Sequence, residues 1–480
     1  MTKLNACKMI CGVFVLCGAT AIAAPAQVFT SLVSFDGTNG ANPQASLVQG
    51  VDGKFYGTTK LGGAAGCFLG CGTVFKVTAM GALNMLHSFQ GPNLDDADPI
   101  GGLFLSIDGN LYGTTNGTHS NDNGTVFRMN PAGTVTTLHY FGGDPDGAWP
   151  SATLMQAANG EFYGTTSGGG AANDGIVFKI SHSGTLATIY SFCQQPHCAD
   201  GTNPTAGLIQ ATDGNFYGAT PGTVFKISPG NTFTTIYTFC SKPNCADGGG
   251  AMASLIQATD GNFYGTTIGG GTGTCSGSVG CGTVFKITPG GVLTTLHSFN
   301  NADGALPYAG LVQATDGNFY GTTTVGGNST CVPSGCGTVF QVTPDGTFTT
   351  LHNFDSTDGL SPMGGLVQST NGNFYGTTVH GGANINCDQG CGTVYSLSVG
   401  LGPFVAFVRP YGKVGQTGGI LGQGFTGTAS VSLNGTPASF TVVSDTFIKA
   451  TVPPGATTGF VTVVTPSGTL TSNVPFRVLP

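Results

Sequence analysis

The sequence predicts an all-β protein: a seven-bladed β-propeller with four strands per blade, followed by a C-terminal immunoglobulin-like β-sandwich. Three observations predict it. One unit, marked by Phe-Tyr-Gly or Leu-Tyr-Gly, recurs seven times, with its tyrosine at 56, 112, 163, 217, 264, 320 and 375. The first strand-like run supplies what the last unit lacks. Near Val399 the repeat texture stops and a different strand pattern begins.

The markers lie 47 to 56 residues apart, the period of propeller blades; ankyrin and tetratricopeptide units are helical and shorter. Unit six displays four runs. Residues 310–314 form the first, and Asp316-Gly317 turns the chain into the second, 318–323. A longer loop with two cysteines leads to the third, 337–342, and Pro344-Asp345-Gly346 turns it into the fourth, 348–354. Asp-Gly between β-formers signals a tight hairpin, because both central turn residues need positive φ. Four antiparallel strands per repeat make one blade.

Residues 28–35 read as a lone fourth strand, and the last unit, 366–397, has strands one to three only. The N-terminal strand is therefore expected to complete the last blade, pairing two edges that would otherwise invite aggregation. This topology sorts the loops. Hairpins between strands one and two, and between three and four, share one rim. Connections from two to three, and from four to the next blade, share the other. The cysteine pairs and the variable Asp-rich segments fall on that second rim. Function concentrates in variable loops on a rigid scaffold, so the cysteine-bearing rim is the expected recognition face.

Charged residues make up only 8% of the chain, while Gly accounts for 82 of 480 residues. That composition excludes a charged disordered chain and a helical bundle. The net charge is −8 and no basic patch is visible, so nucleic acid is not an expected partner. Residues 1–26 read as a signal peptide: Lys3 and Lys8, an apolar run over 9–19, then Ala24-Pro25-Ala26 as a cleavage site. The run is shorter than the roughly 20 residues of a spanning helix. An exported chain is expected, secreted or at the cell surface, with the periplasm as an alternative and no membrane span in the mature part.

Beyond Cys7, Cys11 and Cys17, the cysteines form six close pairs. Cys67 goes with Cys71, Cys193 with Cys198, and Cys240 with Cys245; Cys275 goes with Cys281, Cys331 with Cys336, and Cys387 with Cys391. Local pairs in even number point to disulfides in an oxidising compartment. None is a C-x-x-C pair and each lies in a different repeat, so a four-ligand zinc site does not assemble easily. The expected role of the bridges is to stiffen individual loops.

From about Pro403, alternating runs over 431–433, 438–443, 447–452 and 459–464 are separated by turns such as Asn434-Gly435 and Pro466-Ser467-Gly468. The length suits one cysteine-free sandwich. The expected organisation is a signal peptide over 1–26, a propeller over 27–399 and a sandwich over 403–480.

The segments F-Y-G-T-T, G-T-V-F-K and T-T-L-H-S-F resemble the GloVer-type (Gloeo/Verruco) tandem repeats of exported bacterial proteins, over roughly 28–399. The resemblance implies a secreted or surface location and no established activity. Residues 403–480 resemble an IPT/TIG domain through Gly419-Ile420-Leu421-Gly422-Gln423-Gly424-Phe425, Val431-Ser432-Leu433-Asn434-Gly435, Val443-Ser444-Asp445-Thr446 and Val452-Pro453-Pro454-Gly455-Ala456. That resemblance implies a spacer or adhesion module. The DNA-binding role of some relatives is not matched, since Arg409, Lys413, Lys449 and Arg477 are scattered.

Glycoside hydrolysis needs two placed carboxylates. Glu161 is the only glutamate and takes a turn position that is Asn in most units. Asp52, Asp108, Asp213, Asp260 and Asp316 share one turn position. His87, His139, His297 and His352 share one fourth-strand position, with Tyr190 and Tyr237 as alternates. No nucleophile elbow, zinc helix or phosphate loop is present, and no catalytic residue is expected.

Asp95, Asp96 and Asp98, and Asp144 with Asp146, are candidate calcium ligands, though without calcium-loop spacing. Calcium is the one candidate cofactor. Trp149 is a candidate ligand-binding residue, because an aromatic beside carboxylates can hold a sugar. The expected function is binding, adhesion or scaffolding through the rim loops, with a glycan or surface protein as partner. The alternatives are a carbohydrate-active hydrolase or lyase on a propeller scaffold, and a structural cell-surface component.

Overall fold

The computed structural model describes residues 27–480 except 64–66, 68, 92–96, 118–121, 276–279, 328–330, 332–333 and 385. The expected signal peptide, 1–26, lies outside the described residues. Seven four-stranded antiparallel sheets form the blades. Blade 1 consists of Val48–Gln49, Phe55–Thr59, Thr73–Val77 and Leu83–Ser88, counted from the inside outward. Blade 7 takes Val367–Gln368, Phe374–Thr378 and Thr393–Ser398 from the last repeat, and its outermost strand is Val28–Ser34. Val28 pairs with Ser398 and Ser34 with Thr393, so the N-terminal strand closes the ring as expected.

Phe-Tyr-Gly-Thr-Thr does not alternate because both faces of the second strand are covered by neighbouring blades; all five residues of Phe55–Thr59 are buried. A strand packed on both sides reads as a continuous run. The phenylalanine of one blade stacks on the tyrosine of the blade before it. Tyr163 meets Phe216 at 4.3 Å between centroids, Tyr264 meets Phe319 at 4.0 Å, and Tyr375 meets Phe55 at 4.0 Å across the seam. Leu111 takes the phenylalanine's place in blade 2 and packs in one cluster with Tyr56.

The marker glycine is required by close approach. A Cβ on Gly57 would lie 2.6 Å from Phe75 Cζ and 2.7 Å from Leu47 Cδ2, and the glycines of the other blades meet the same obstruction.

Polar side chains fasten the blades at the inner end. Gln210 Oε1 accepts the Ala158 N–H of the preceding blade at 2.8 Å, while its amide donates to Gly214 O of its own turn. Gln257 and Gln313 repeat the bond with Thr212 and Thr259. In blade 2 the position is Leu105, which is buried. At the outer edge, every blade carries a bulge in the pairing of its third and fourth strands. Bulges bend and twist an edge strand.

The C-terminal sandwich has two four-stranded sheets. One contains Ala406–Phe407, Thr417–Leu421, Phe447–Thr451 and Phe440–Ser444. The other contains Thr436–Pro437, Ser430–Leu433, Val461–Thr465 and Gly468–Thr471. Its core gathers Phe425, Ile448, Val463 and Phe476. Tyr411–Lys413 and Arg477–Leu479 form a separate parallel pair.

Candidate functional site

The central channel has two unlike ends. At the end formed by the Asp-Gly hairpins, the C-terminal sandwich rests on the ring. Thr446 Oγ1 donates to Val51 O of blade 1 at 2.8 Å, and Tyr411 Oη to Gln156 O of blade 3 at 2.7 Å. Arg477 Nη1 donates to Ala211 O of blade 4, and Phe404 N–H to Thr370 O of blade 7. Val408 packs against the apolar cluster that includes Leu105. Contacts to blades 1, 3, 4 and 7 span the ring, so this module forms a lid over the hairpin face. Arg409 and Arg477, far apart in sequence, flank the Tyr411 ring at 5.3 and 5.4 Å.

The opposite end opens on a cavity of about 320 Å³ to which all seven blades contribute. That volume lies within the usual range for ligand pockets. Its throat is built of small residues such as Ala45, Ser46, Ala206, Gly207 and Gly364. Convergence of the inner strands explains them: a Cβ on Gly207 would lie 2.9 Å from Ser254 Oγ and from Thr153 O.

The mouth itself is lined by the residue that follows the proline (alanine in blade 5) at the start of each inner strand. These residues are Gln44, Ile100, Ser151 and Thr205 on blades 1 to 4, then Met252, Tyr308 and Met363. All are half-buried. The next three positions repeat as Ala or Gly, a small residue and Leu, while the mouth position differs in almost every blade. Sequence reasoning missed this ring by comparing whole loops; aligning the seven units on the leucine would have found it.

The loops around the mouth are fixed by Asp residues, among them the candidate calcium ligand Asp146. His297 Nε2 donates to Asp303 at 3.0 Å, and the same carboxylate accepts the Asn300 N–H. His352 and Asp358 repeat the pair at 2.8 Å, and His139 and Asp146 at 2.9 Å. In blades 3 and 4 the donors are Tyr190 and Tyr237, each 2.7 Å from the fully buried Asp200 and Asp247. A carboxylate only accepts, so each pair needs a donor on the fourth strand, which a tyrosine hydroxyl supplies as well as a histidine N–H. Burial and then the bond to Asp200 push the Tyr190 phenol well above its ordinary value. Burial raises Asp247, but bonds from Tyr237 and Ser241 outweigh it and hold the carboxyl low.

Among the candidate calcium ligands, Asp146 is committed to His139 and to the Gly142 N–H. Asp144 is exposed in the same turn. Asp98 forms a loop corner with φ of 57° and an ion pair to Lys60 at 3.9 Å. Asp95 and Asp96 lie outside the described residues. Trp149 occupies the same left-handed corner as Asp98, with φ of 59°, its backbone N–H bonded to Asn123 O and its ring over Gly168.

All six cysteine pairs are disulfides. Cys67 is bonded to Cys71, Cys193 to Cys198, Cys240 to Cys245, Cys275 to Cys281, Cys331 to Cys336, and Cys387 to Cys391. Their role differs in part from the one expected. Cys71, Cys281, Cys336 and Cys391 are fully buried, and each belongs to an apolar cluster of the blade bodies. These four bridges therefore tie a loop to the core instead of stiffening the loop alone. Cys245 is half-buried at the end of a short turn, Pro243–Cys245, with φ of 51°, and Cys198 repeats that arrangement in blade 3.

Asp174 comes close to Cys193 and Cys198. Sulfurs joined in a disulfide offer no thiolate to a metal, so that trio is not a metal centre. Tyr308 is the one ionisable side chain lining the mouth cavity among the described residues.

The fold and site define a closed seven-bladed propeller with a lid on one end of its channel and a variable ring at the other. The chain belongs to the Gloeobacter/Verrucomicrobia repeat family, which matches residues 65–276 and 219–439, and it carries an IPT/TIG domain at 405–478. Among solved structures it is similar to a streptogramin B lyase, with a TM-score of 0.51, 15% identity, and coverage of 78% of this chain and 97% of that one. It is also similar to a fungal alcohol oxidase of the AA5 family in complex with copper, with a TM-score of 0.53, 14% identity, and coverage of 94% and 99%. At these identities the likeness is one of fold alone, since function resides in sites grafted on folds. No curated protein matches the chain in sequence. Six disulfides fit an extracellular protein, and among the described residues no helix is long and apolar enough to cross a membrane.

Proposed function

We propose that the protein is an exported, non-catalytic recognition protein whose binding face is the cysteine-bearing rim, centred on the channel mouth. The ring of mouth residues supports this reading most directly. The residue there differs in almost every blade, and the ring offers amide, hydroxyl, thioether, aliphatic and aromatic groups around one concave site. Such a mixture suits selective binding. It assembles no nucleophile with a base, and no pair of carboxylates, around a common point. The disulfides and the His–Asp and Tyr–Asp pairs stiffen the surrounding loops, which lowers the ordering cost of binding.

The test is capture by the chain from residue 27 onward on arrays of glycans and of peptides. Selective retention is expected, with at least one retained ligand lost in the double variant Tyr308→Ala with Met252→Ala and none chemically changed. Retention of every captured ligand by that variant would remove the mouth from the reading, and turnover of a captured molecule would remove its non-catalytic character.

A further inference from the structure

A second concave site lies on the other side of the molecule, between the C-terminal sandwich and the hairpins of blades 5 and 6. It is a groove of about 560 Å³. One wall comes from the propeller through Thr259, Gln313 and Thr315; the other comes from the sandwich through Phe460, Thr469 and Asn473. We propose that this groove binds a neutral oligosaccharide.

Three features of the groove converge on that chemistry. Phe460 presents its ring to solvent at 47% exposure, although it is a large apolar side chain at a concave interface. An exposed aromatic face is a platform for the apolar face of a sugar ring. Around it, the hydroxyls of Thr259 and Thr469 and the side-chain amide of Asn473 take part in no hydrogen bond among the described residues, whereas Gln313 is already committed to Thr259 N–H and Gly317 O. Hydroxyls and an amide both donate and accept, as the hydroxyls of a sugar require.

The lining also contains no Asp, Glu, Lys, Arg or His among the described residues. A charged ligand would lose water there without gaining a counter-charge, which is costly; a neutral one loses nothing comparable. The groove's size admits a short saccharide. The site goes beyond recognition at the channel mouth and is independent of it.

The experiment is calorimetric titration of the chain from residue 27 onward with cellotriose, maltotriose, xylotriose and chitotriose. Four proteins are compared: the unaltered chain, Phe460→Ala, Thr259→Trp, and the mouth variant Tyr308→Ala with Met252→Ala. At least one trisaccharide is expected to bind. Phe460→Ala should weaken it about tenfold or more, and Thr259→Trp, which fills the groove from the propeller wall, should abolish it. Thermal unfolding should be unchanged in Phe460→Ala, and the mouth variant should bind as the unaltered chain does. Absence of binding by every trisaccharide at millimolar concentration overturns the proposal. So does binding that survives both groove substitutions, or that is lost only in the mouth variant.

Discussion

Gln49 and Thr370 join the first blade to the seventh: Gln49 Oε1 accepts the Thr370 N–H at 3.1 Å, and its amide donates to the Thr370 hydroxyl, also at 3.1 Å. Both residues are buried and lie 321 positions apart in the chain. The bond repeats the clamp found between neighbouring blades, so at this end of the channel the seam is fastened like an internal junction.

Gln49→Leu should therefore destabilise the whole propeller. The substitution leaves the Thr370 N–H buried without a partner, which costs on the order of 1–3 kcal/mol. The check is a lowered denaturant midpoint in an unfolding titration. An unchanged midpoint would mean that the seam is held by the N-terminal strand and the Phe55–Tyr375 stack alone.

Gly57→Ala should be at least as damaging despite adding one methyl group. The new Cβ collides with Phe75 and Leu47, both buried, and overpacking of this kind costs about 1–3 kcal/mol. The melting temperature should fall, and Phe75→Leu in the same chain should recover part of the loss by making room.

Stability should decline in acid through the hairpin aspartates. Burial pushes Asp260 up, but bonds from Lys286 Nζ, the Asn262 side chain and N–H, and the Tyr264 hydroxyl outweigh it and hold the carboxyl at about 2. Asp108 and Asp213 are lowered in the same manner. A carboxyl depressed in the folded state stabilises fully above its unfolded value near 4, and the gain disappears as pH falls through about 2. Asp260→Asn should flatten that part of the profile in denaturant titrations from pH 5 to pH 2; a profile identical to the unaltered chain would contradict the assignment.

Removing one disulfide should weaken the fold without abolishing it. Each bridge closes a loop of only a few residues, with separations of 4 to 6, so the loss is about 2 kcal/mol. The double variant Cys387→Ala with Cys391→Ala should retain its β-rich circular dichroism with a lower melting temperature.

The ring, its closure and the cysteine pairing were legible because each rests on local, repeated chemistry: Asp-Gly hairpins, a marker with a fixed period, and complementary ends. The lid and the mouth were not. Docking of the sandwich depends on Tyr411, Thr446 and Arg477 meeting backbone carbonyls of Gln156, Val51 and Ala211, and backbone acceptors carry no sequence signature. The Asp residues misled for a related reason. In sequence Asp146 looks like a free ligand, and only the bulged fourth strand brings His139 within reach of it, as it brings His297 to Asp303. The depth of Cys71, Cys281, Cys336 and Cys391 was hidden too, because a loop's spacing does not tell which of its two sulfurs points inward. Phe460 read as an ordinary member of a strand run, because nothing in the run tells that this ring faces a groove.

The assignment of the recognition face depends on the C-terminal domain covering the hairpin end of the channel. Lysine cross-linking with mass spectrometry tests it most directly, because the lysines divide between faces. Lys54 lies at a hairpin and Lys76 pairs with Tyr56 near that end, while Lys60 and Lys242 lie in loops of the cysteine-bearing rim. Cross-links from Lys413 and Lys449 of the C-terminal domain to Lys54 or Lys76 are the predicted result. Cross-links from those two lysines to Lys60 or Lys242 instead would place the domain over the mouth and contradict it.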